Sequence, residues 1–405
     1  MAMKQTQTKM FDFSDVGLDF CVGSKNLFPD RFKMMLALGY NTKTVSSVAV
    51  TGNQVVLTYG VNHGYVADRV LKLNASNLNG EYVIDSVTSN TVTLTIDNAP
   101  ASVSGGFTTF VSPLGWQLVY EQGHIHIYKF KHIDDTDMYA RLCFQDATTA
   151  GNRNCIAIGI GRTANLSTGV ITDPNCMTDL ATCSTVANAT SNLRWDFTNS
   201  TARTFDNYTY SQGYATFGKA MLVGSVYHLA LMYAQANNTT YQHFSTVSAI
   251  MPFSSSYNVI NYPILIAQNN GASSSVTTGS LSAAQAYLAS IRVTLNNSVA
   301  QLFDRETAST SFLPPSIDSF NTTTCEPIPI YTFIEKQFIG YIVGLYQVLY
   351  NVVNSPTPKS ETYPSLDMDI DFNNFVGVHF MRVNNSNINT GSAWIALPIE
   401  EIKIA

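Results

Sequence analysis

Apolar and polar residues alternate with period two through most of this chain, and no other feature restricts its fold as strongly. Side chains two apart point to the same face of a strand, so alternation commits a segment to a half-buried sheet. In "QVVLTYG" Val55, Leu57 and Tyr59 share one face, and in "TVTLTIDN" Val92, Leu94 and Ile96 oppose Thr91, Thr93 and Thr95. β-Branched residues supply much of both segments, as a pleated surface prefers. "RVLKLN" and "GEYVIDSV" predict two further strands, separated by the turn-forming run "NASNLNG". Together they define a small β module ended by "APASVSGG".

The expected organisation is an N-terminal segment at 1–43 that joins the main body, an inserted β module at 44–112, a main β-sandwich body at 113–310 and a C-terminal assembly segment at 311–405. In the body, "GWQLVYEQGHIHIYKFKHI" predicts a hairpin turning at Gly123, and "CIAIGIG", "AMLVGSVYHLALMYA", "YPILIAQ" and "YLASIRVTL" read as strands. The Asn/Ser/Thr-rich stretches 184–212 and 235–280 read as long loops. A helix is expected near 27–38, where Pro29 occupies an acceptable first-turn position. The fold class is therefore mainly β: a β-sandwich or jelly-roll-like body with a small inserted β module and few short helices.

Charge bears on partners. Lys plus Arg number 22 against 28 Asp plus Glu, and charged residues make up 12% of the chain, where about 25% is usual. Such a surface lacks the basic field that phosphate backbones demand, so no direct nucleic-acid partner is expected. It also repels its own copies weakly, which favours homo-oligomers. The N-terminus brings in Asp12, Asp15 and Asp19 before any apolar run and does not read as a signal peptide. The longest apolar stretch, "FIGYIVGLYQVLYNVV" at 338–353, contains Gln347 and is shorter than the roughly 20 residues of a spanning helix. It is expected as a buried or subunit-interface segment, with Ile342 and Leu345 at the interface, and no membrane span is expected. Sequons at Asn74, Asn165, Asn188, Asn207 and Asn238 are what an Asn/Ser/Thr-rich chain produces by chance.

Few residues invite chemistry. His124 and His126 lie two apart on an expected strand, with His132 at matching parity and Asp134, Asp135 and Asp137 beside it, a pattern that permits a metal site without favouring one. Asp367, Asp369 and Asp371 in "DMDIDF" share one face but lack a turning glycine, so they read as an acidic strip rather than a calcium loop. Cys21, Cys143, Cys155, Cys176, Cys183 and Cys325 form no CxxC pair and read as reduced, mostly buried thiols, with a structural thiol or loop disulfide open for Cys176 and Cys183. His63, in "TYGVNHGYVADRVLKLN", has no nucleophile near it in sequence and Asp68 and Arg69 only five and six residues on. It is expected at a turn or loop tip, so that His63→Ala spares the fold. Nucleophile elbows, zinc-protease and phosphate-loop motifs are missing. Glycosidase carboxylate pairs are spatial and leave no trace in sequence, and the long loops hold few Glu. No residue receives a catalytic, cofactor-binding or metal-ligand assignment, and neither an enzyme nor a cofactor is expected.

The stretch 45–97, with "TGNQVVLTYGVNHGYVADRVLKLN" and "LNGEYVIDSVTSNTVTLTID", resembles the small Ig-like β modules carried by tailed-bacteriophage virion proteins. Low charge and abundant Asn, Ser, Thr, Gly and Tyr are similar to tail, baseplate and decoration proteins. The resemblance implies a virion structural protein that assembles in host cytoplasm, in a sheath, collar or baseplate position, with other copies and other virion proteins as partners. Two alternatives stay open: a tail fibre or spike protein that binds a receptor or a host surface glycan, with Trp116, Trp195 and Trp394 as aromatic platforms, and a capsid decoration protein.

Overall fold

The computed structural model describes residues 8–20, 27–145, 155–189, 193–197, 211, 220–234, 242–254, 261–269, 284–295, 324–349, 365–367, 376–382 and 392–398. Strands make up 54% of it and helices 9%, so the mainly β class expected from alternation holds. The chain opens with strand β1 (Lys9–Asp12) and then helix α1 (Phe28–Lys33), which carries Pro29 in its first turn and runs on as a π-helical turn, Met34–Leu38. Phe28, Phe32, Met35 and Leu36 are buried, the helical spacing that puts one face inward. Gly39 then reverses the chain at φ +77°, where a Cβ would stand 2.5 Å from the Val111 carbonyl oxygen.

The module follows as β2 (Tyr40–Thr51), β3 (Gln54–Tyr59), β4 (Val70–Asn74), β5 (Asn79–Val83), β6 (Ser86–Val87), β7 (Thr91–Thr95) and β8 (Thr108–Val111). These seven strands pair among themselves in the order β5-β4-β8-β2-β3-β7-β6. The long strand β2 serves both halves: Tyr40, Lys43 and Thr44 pair with β8, and Val45 to Thr51 pair with β3. Val55, Leu57, Tyr59, Val92, Leu94 and Ile96 are all buried, so alternation had located this core correctly.

The body begins as an antiparallel meander of β9 (Gln117–Gln122), β10 (Ile125–Lys131), β11 (Asp137–Phe144) and β12 (Cys155–Gly161). Its first hairpin turns at Gly123 as expected, with φ +58°. A small hairpin, β13 (Ala164–Asn165) with β14 (Val170–Ile171), and helix α2 (Thr178–Thr182) lead to β15 (Leu193–Asp196). There follow β16 (Ala220–Ser225), β17 (His228–Ala234), β18 (Gln242–Ser248), β19 (Ile250–Pro252), β20 (Ile264–Asn269), β21 (Ala284–Leu288) and β22 (Ile291–Thr294). Three of these, β15, β18 and β19, lie in stretches expected to be loops. In β18 the reason is visible: Ser245, Thr246 and Ser248 are buried, and Thr246 Oγ1 donates to the Leu229 carbonyl at 2.8 Å. Polar composition there reflects satisfied hydroxyls inside a sheet.

The last strands, β23 (Thr324–Thr332), β24 (Phe338–Leu349), β25 (Ser365–Asp367), β26 (Val376–Arg382) and β27 (Ser392–Pro398), belong to the same large sheet. β23 pairs with β22, and β24 pairs with β19 and β27, so hydrogen bonds cross the 310 boundary read from sequence. Among the described residues no helix is long and apolar enough to cross a membrane.

Two cores flank the hairpin of β16 and β17. Leu222 and Leu231, cross-strand partners, join the core shared with the module and α1, whereas Val223 and Ala230, the next pair, join the core under β23, β24 and β27. β1 pairs along β16 and carries the N-terminal segment to the module. There Lys9 Nζ contacts Glu81 Oε2 at 2.8 Å and donates to Ser112 Oγ at 3.0 Å. Asp15 is buried and receives Arg69 Nε at 2.8 Å, Arg69 Nη2 at 2.9 Å and the Tyr40 hydroxyl at 2.7 Å. Removing one member of a buried pair strands the other charge. Arg69→Met is therefore expected to lower stability by about 3–5 kcal/mol in urea unfolding, and adding Asp15→Asn should recover part of that loss.

Candidate functional site

The histidines read from sequence do not converge. His124 donates from Nε2 to the Ser184 carbonyl at 2.7 Å. His126, at the start of β10, is buried with Nδ1 2.9 Å from the Tyr128 hydroxyl and Nε2 3.6 Å from Glu121. His132 lies just past the far end of the same strand, roughly 20 Å away at strand rise, with Nδ1 3.5 Å from Asp134. Asp134 is held by Thr136 and Asn261, Asp135 accepts from Tyr227, and Asp137 pairs with Lys129 and Lys131. Among the described residues no three His, Cys, Asp or Glu side chains gather as metal ligands. Of the acidic strip, Asp369 and Asp371 lie outside the described residues, as does the Asp367 side chain.

His63 requires a correction. It does lie in the loop between β3 and β4, but it is only 1% exposed, so it is no loop tip. The Tyr65 N–H donates to Nδ1 at 2.9 Å, which leaves Nε2 as the protonated nitrogen facing the Thr91 carbonyl at 3.1 Å. The ring packs between Tyr59 and Tyr65, at centroid distances of 5.0 and 5.1 Å. His63 thus braces the module from within, where loop composition gave no hint of burial.

The proposed glycan platforms are also interior. Trp116 is buried, stacks on Phe130 at 4.4 Å and donates to the Ser225 carbonyl at 2.9 Å. Trp195 is buried and donates to the Ile266 carbonyl at 3.1 Å. The Trp394 side chain lies outside the described residues. Indole N–H groups in cores need such partners, and sequence does not show whether a partner exists.

Ile342 and Leu345, expected at a subunit interface, are buried in the chain's own second core. The opposite face of β24 is the one left open. Tyr341 is 41% exposed beside its cross-strand neighbour Met251, and Phe253, just beyond β19, is 70% exposed. Phe338 is the hub: its ring centroid lies 5.3 Å from Phe253, 5.0 Å from Tyr341 and 5.7 Å from Tyr331. At the tip of the β23–β24 hairpin Ile334 is 81% exposed, and the Arg292 guanidinium covers Phe333 at 3.8 Å. An outward aromatic ledge across β19, β24 and β23 is thus the best candidate site. Contiguous exposed apolar surface of this kind marks contact with another molecule.

Among the described cysteines, Cys143, Cys155, Cys176 and Cys183 are buried, and the loop disulfide open for Cys176 and Cys183 is not formed. Cys21 and the Cys325 side chain lie outside the described residues.

Two predictions follow from the buried imidazoles. His63→Ala should destabilise the protein by about 2 kcal/mol or more, because it opens a cavity and orphans the Tyr65 amide; unchanged urea unfolding would return His63 to a passive turn role. Burial lowers the pKa of His63 and His132, and takes His126 and His228 down to about 4. Each folded pKa lies below the unfolded one, so the unfolded chain takes up protons first as pH drops. Stability should therefore fall from about pH 6.5 toward pH 4, by up to about 1.4 kcal/mol per pH unit for each histidine. His228→Asn should flatten that slope, and a flat wild-type profile would contradict the assignment. The sequence matches no family model and no curated protein, and no solved structure matches the fold.

Proposed function

We propose that this chain is a structural protein that associates with copies of itself and with other virion proteins in the tail of a tailed-phage particle. The observation that carries the assembly reading is the ledge of Met251, Phe253, Phe338 and Tyr341. Its rings are preordered by one another and by strand pairing, so docking on them costs little side-chain entropy, and aromatic anchors of this kind dominate interface energies. The low charge of the chain supports the same reading, because few ions would need desolvating when two such faces meet. Placement in a tail rests on the resemblance of the β module to those of phage virion proteins.

A glycan-binding reading keeps one supporting observation, the exposed Tyr341 and Phe253 rings, which have the exposure that Trp116 and Trp195 lack. Phe253→Asp combined with Tyr341→Asp separates the two. If the ledge joins subunits, the doubly substituted chain should sediment as a smaller species than wild type at the same concentration, with unfolding unchanged. If it binds sugar, oligomer size should stay the same while glycan-array signal disappears. Ile342→Asp, on the inward face of the same strand, is the control and should lower stability. A wild-type chain that is monomeric at high micromolar concentration would refute self-assembly through this ledge.

A further inference from the structure

Two hairpin tips end side by side in the large sheet. β21 and β22 turn through Ala289 and Ser290, and β23 and β24 turn through residues 333–337, where the Thr332 N–H donates to the Gln337 carbonyl at 2.9 Å. Val293 pairs with Thr332 and Thr294 with Tyr331, so Arg292, the next residue out on β22, faces Phe333. The Arg292 guanidinium lies 3.8 Å from the Phe333 ring centroid and Lys336 Nζ lies 5.2 Å from it, which gathers two cations around one ring. Beside them stand Ile291, 51% exposed, and Ile334, whose 81% is the highest exposure of any large apolar residue among those described.

This composition is unlike that of an ordinary turn. Tips that face water usually carry Gly, Asn, Asp and Ser, which suit both the backbone and the solvent. Here Ala289 and Lys336 hold left-handed conformations at φ +52° and +57°, where glycine or asparagine would be less strained. A cation is thus kept where the backbone favours another residue, next to aliphatic side chains left in solvent.

We propose that these two tips dock on an anionic lipid bilayer, with Ile291 and Ile334 entering the apolar layer and Arg292 and Lys336 meeting lipid phosphates. Charge complementarity selects this occupant. A guanidinium forks onto phosphate oxygens while keeping its place over a ring, and a lysine stem lies along apolar neighbours as its ammonium reaches the headgroup. A fluid bilayer also accepts projecting apolar side chains without the shaped pocket that a protein partner would have to supply. Glu335, exposed beside Ile334, opposes the contact, so Arg292 and Lys336 less Glu335 leave one net positive charge at the tips. The net charge of the whole chain, −6, is spread over longer distances and is screened beyond about 8 Å at physiological salt. The isoleucines therefore supply most of the binding and the cations select the headgroup. The lipid contact goes beyond self-association and does not rest on it, because the ledge side chains Met251 and Tyr341 pair across β19 and β24, back from the turns.

The test is flotation of the full chain with vesicles of phosphatidylcholine alone and of phosphatidylcholine mixed with phosphatidylglycerol. Wild type should float with the mixed vesicles, more weakly with the neutral ones, and less as salt rises. Ile334→Asp should lower affinity for the mixed vesicles by about ten-fold or more, with urea unfolding unchanged. Arg292→Gln combined with Lys336→Gln should abolish the preference for phosphatidylglycerol and leave the weak neutral binding. Ile334→Trp should keep binding, and brominated lipid should quench the added fluorescence. Phe253→Asp combined with Tyr341→Asp should float like wild type, and a monomeric wild type that floats would refute the ledge and leave the lipid contact standing. Wild type that stays down with mixed vesicles, or equal flotation of wild type and Ile334→Asp, would overturn the proposal. So would a change of oligomer size in Ile334→Asp when wild type ignores both vesicles, which would make the tips a protein contact.

Discussion

The hairpin of β16 and β17 is buried on both faces, and the rest of the architecture is arranged around that constraint. A strand pair with no solvent face must be covered twice, so Leu222 and Leu231 require the N-terminal segment, α1 and the meander on one side. Val223, Ala230 and Met232 require the C-terminal strands on the other. β1 closes one edge of the pair and β18 the other, which satisfies the backbone groups that burial would otherwise orphan. Antiparallel sheets often keep one wet face, and the usual consequence is strict alternation. Here both faces are dry, so "AMLVGS" and "HLALMYA" are nearly continuous apolar runs.

Polar groups inside this structure follow a matching logic. The chain has few charges, and those it buries are paired, as in Asp15 with Arg69 and Tyr40, or spread over several acceptors, as in Arg141. Buried imidazoles are kept neutral by desolvation, and His228 illustrates how closely they are packed. Its ring lies against Gly344, which stands at φ +79° and where a Cβ would come 3.3 Å from Nε2. Neutral polar groups that find partners cost little to bury, whereas ions cost far more. An interior built this way therefore depends on the protonation state of its histidines more than on exposed ion pairs.

Strand geometry shapes both the aromatic ledge and the surroundings of Arg141. In β24 Ile342 and Leu345 complete the second core, while a register shift between Gly340 and Phe338 breaks strict alternation and lets Phe338, three residues from Tyr341, pack on it at the outer face. In β11 regular alternation puts Arg141 and Cys143 on one face, and the partner of Arg141 is supplied by a segment about forty residues later. Each arrangement becomes chemically informative through its second component, Phe253 in one case and Cys183 in the other.

Alternation by itself determined that this chain is mainly β, that Val55, Leu57, Tyr59, Val92, Leu94 and Ile96 form the module core, and that Gly123 turns the first body hairpin. Those features are local, because the period of a strand and the conformational freedom of glycine act over a few residues. The tertiary structure alone decided the rest. His63, Trp116 and Trp195 are interior because distant carbonyls or ring faces receive them. The polar strand β18 pairs inside a sheet because a carbonyl on the adjacent β17 accepts the Thr246 hydroxyl. Cys183 meets the Arg141 guanidinium because Gly159 leaves room for the Leu180 carbonyl beneath α2. Each of these depends on partners far apart in the chain, and spacing along a sequence carries no record of which residues folding will bring together.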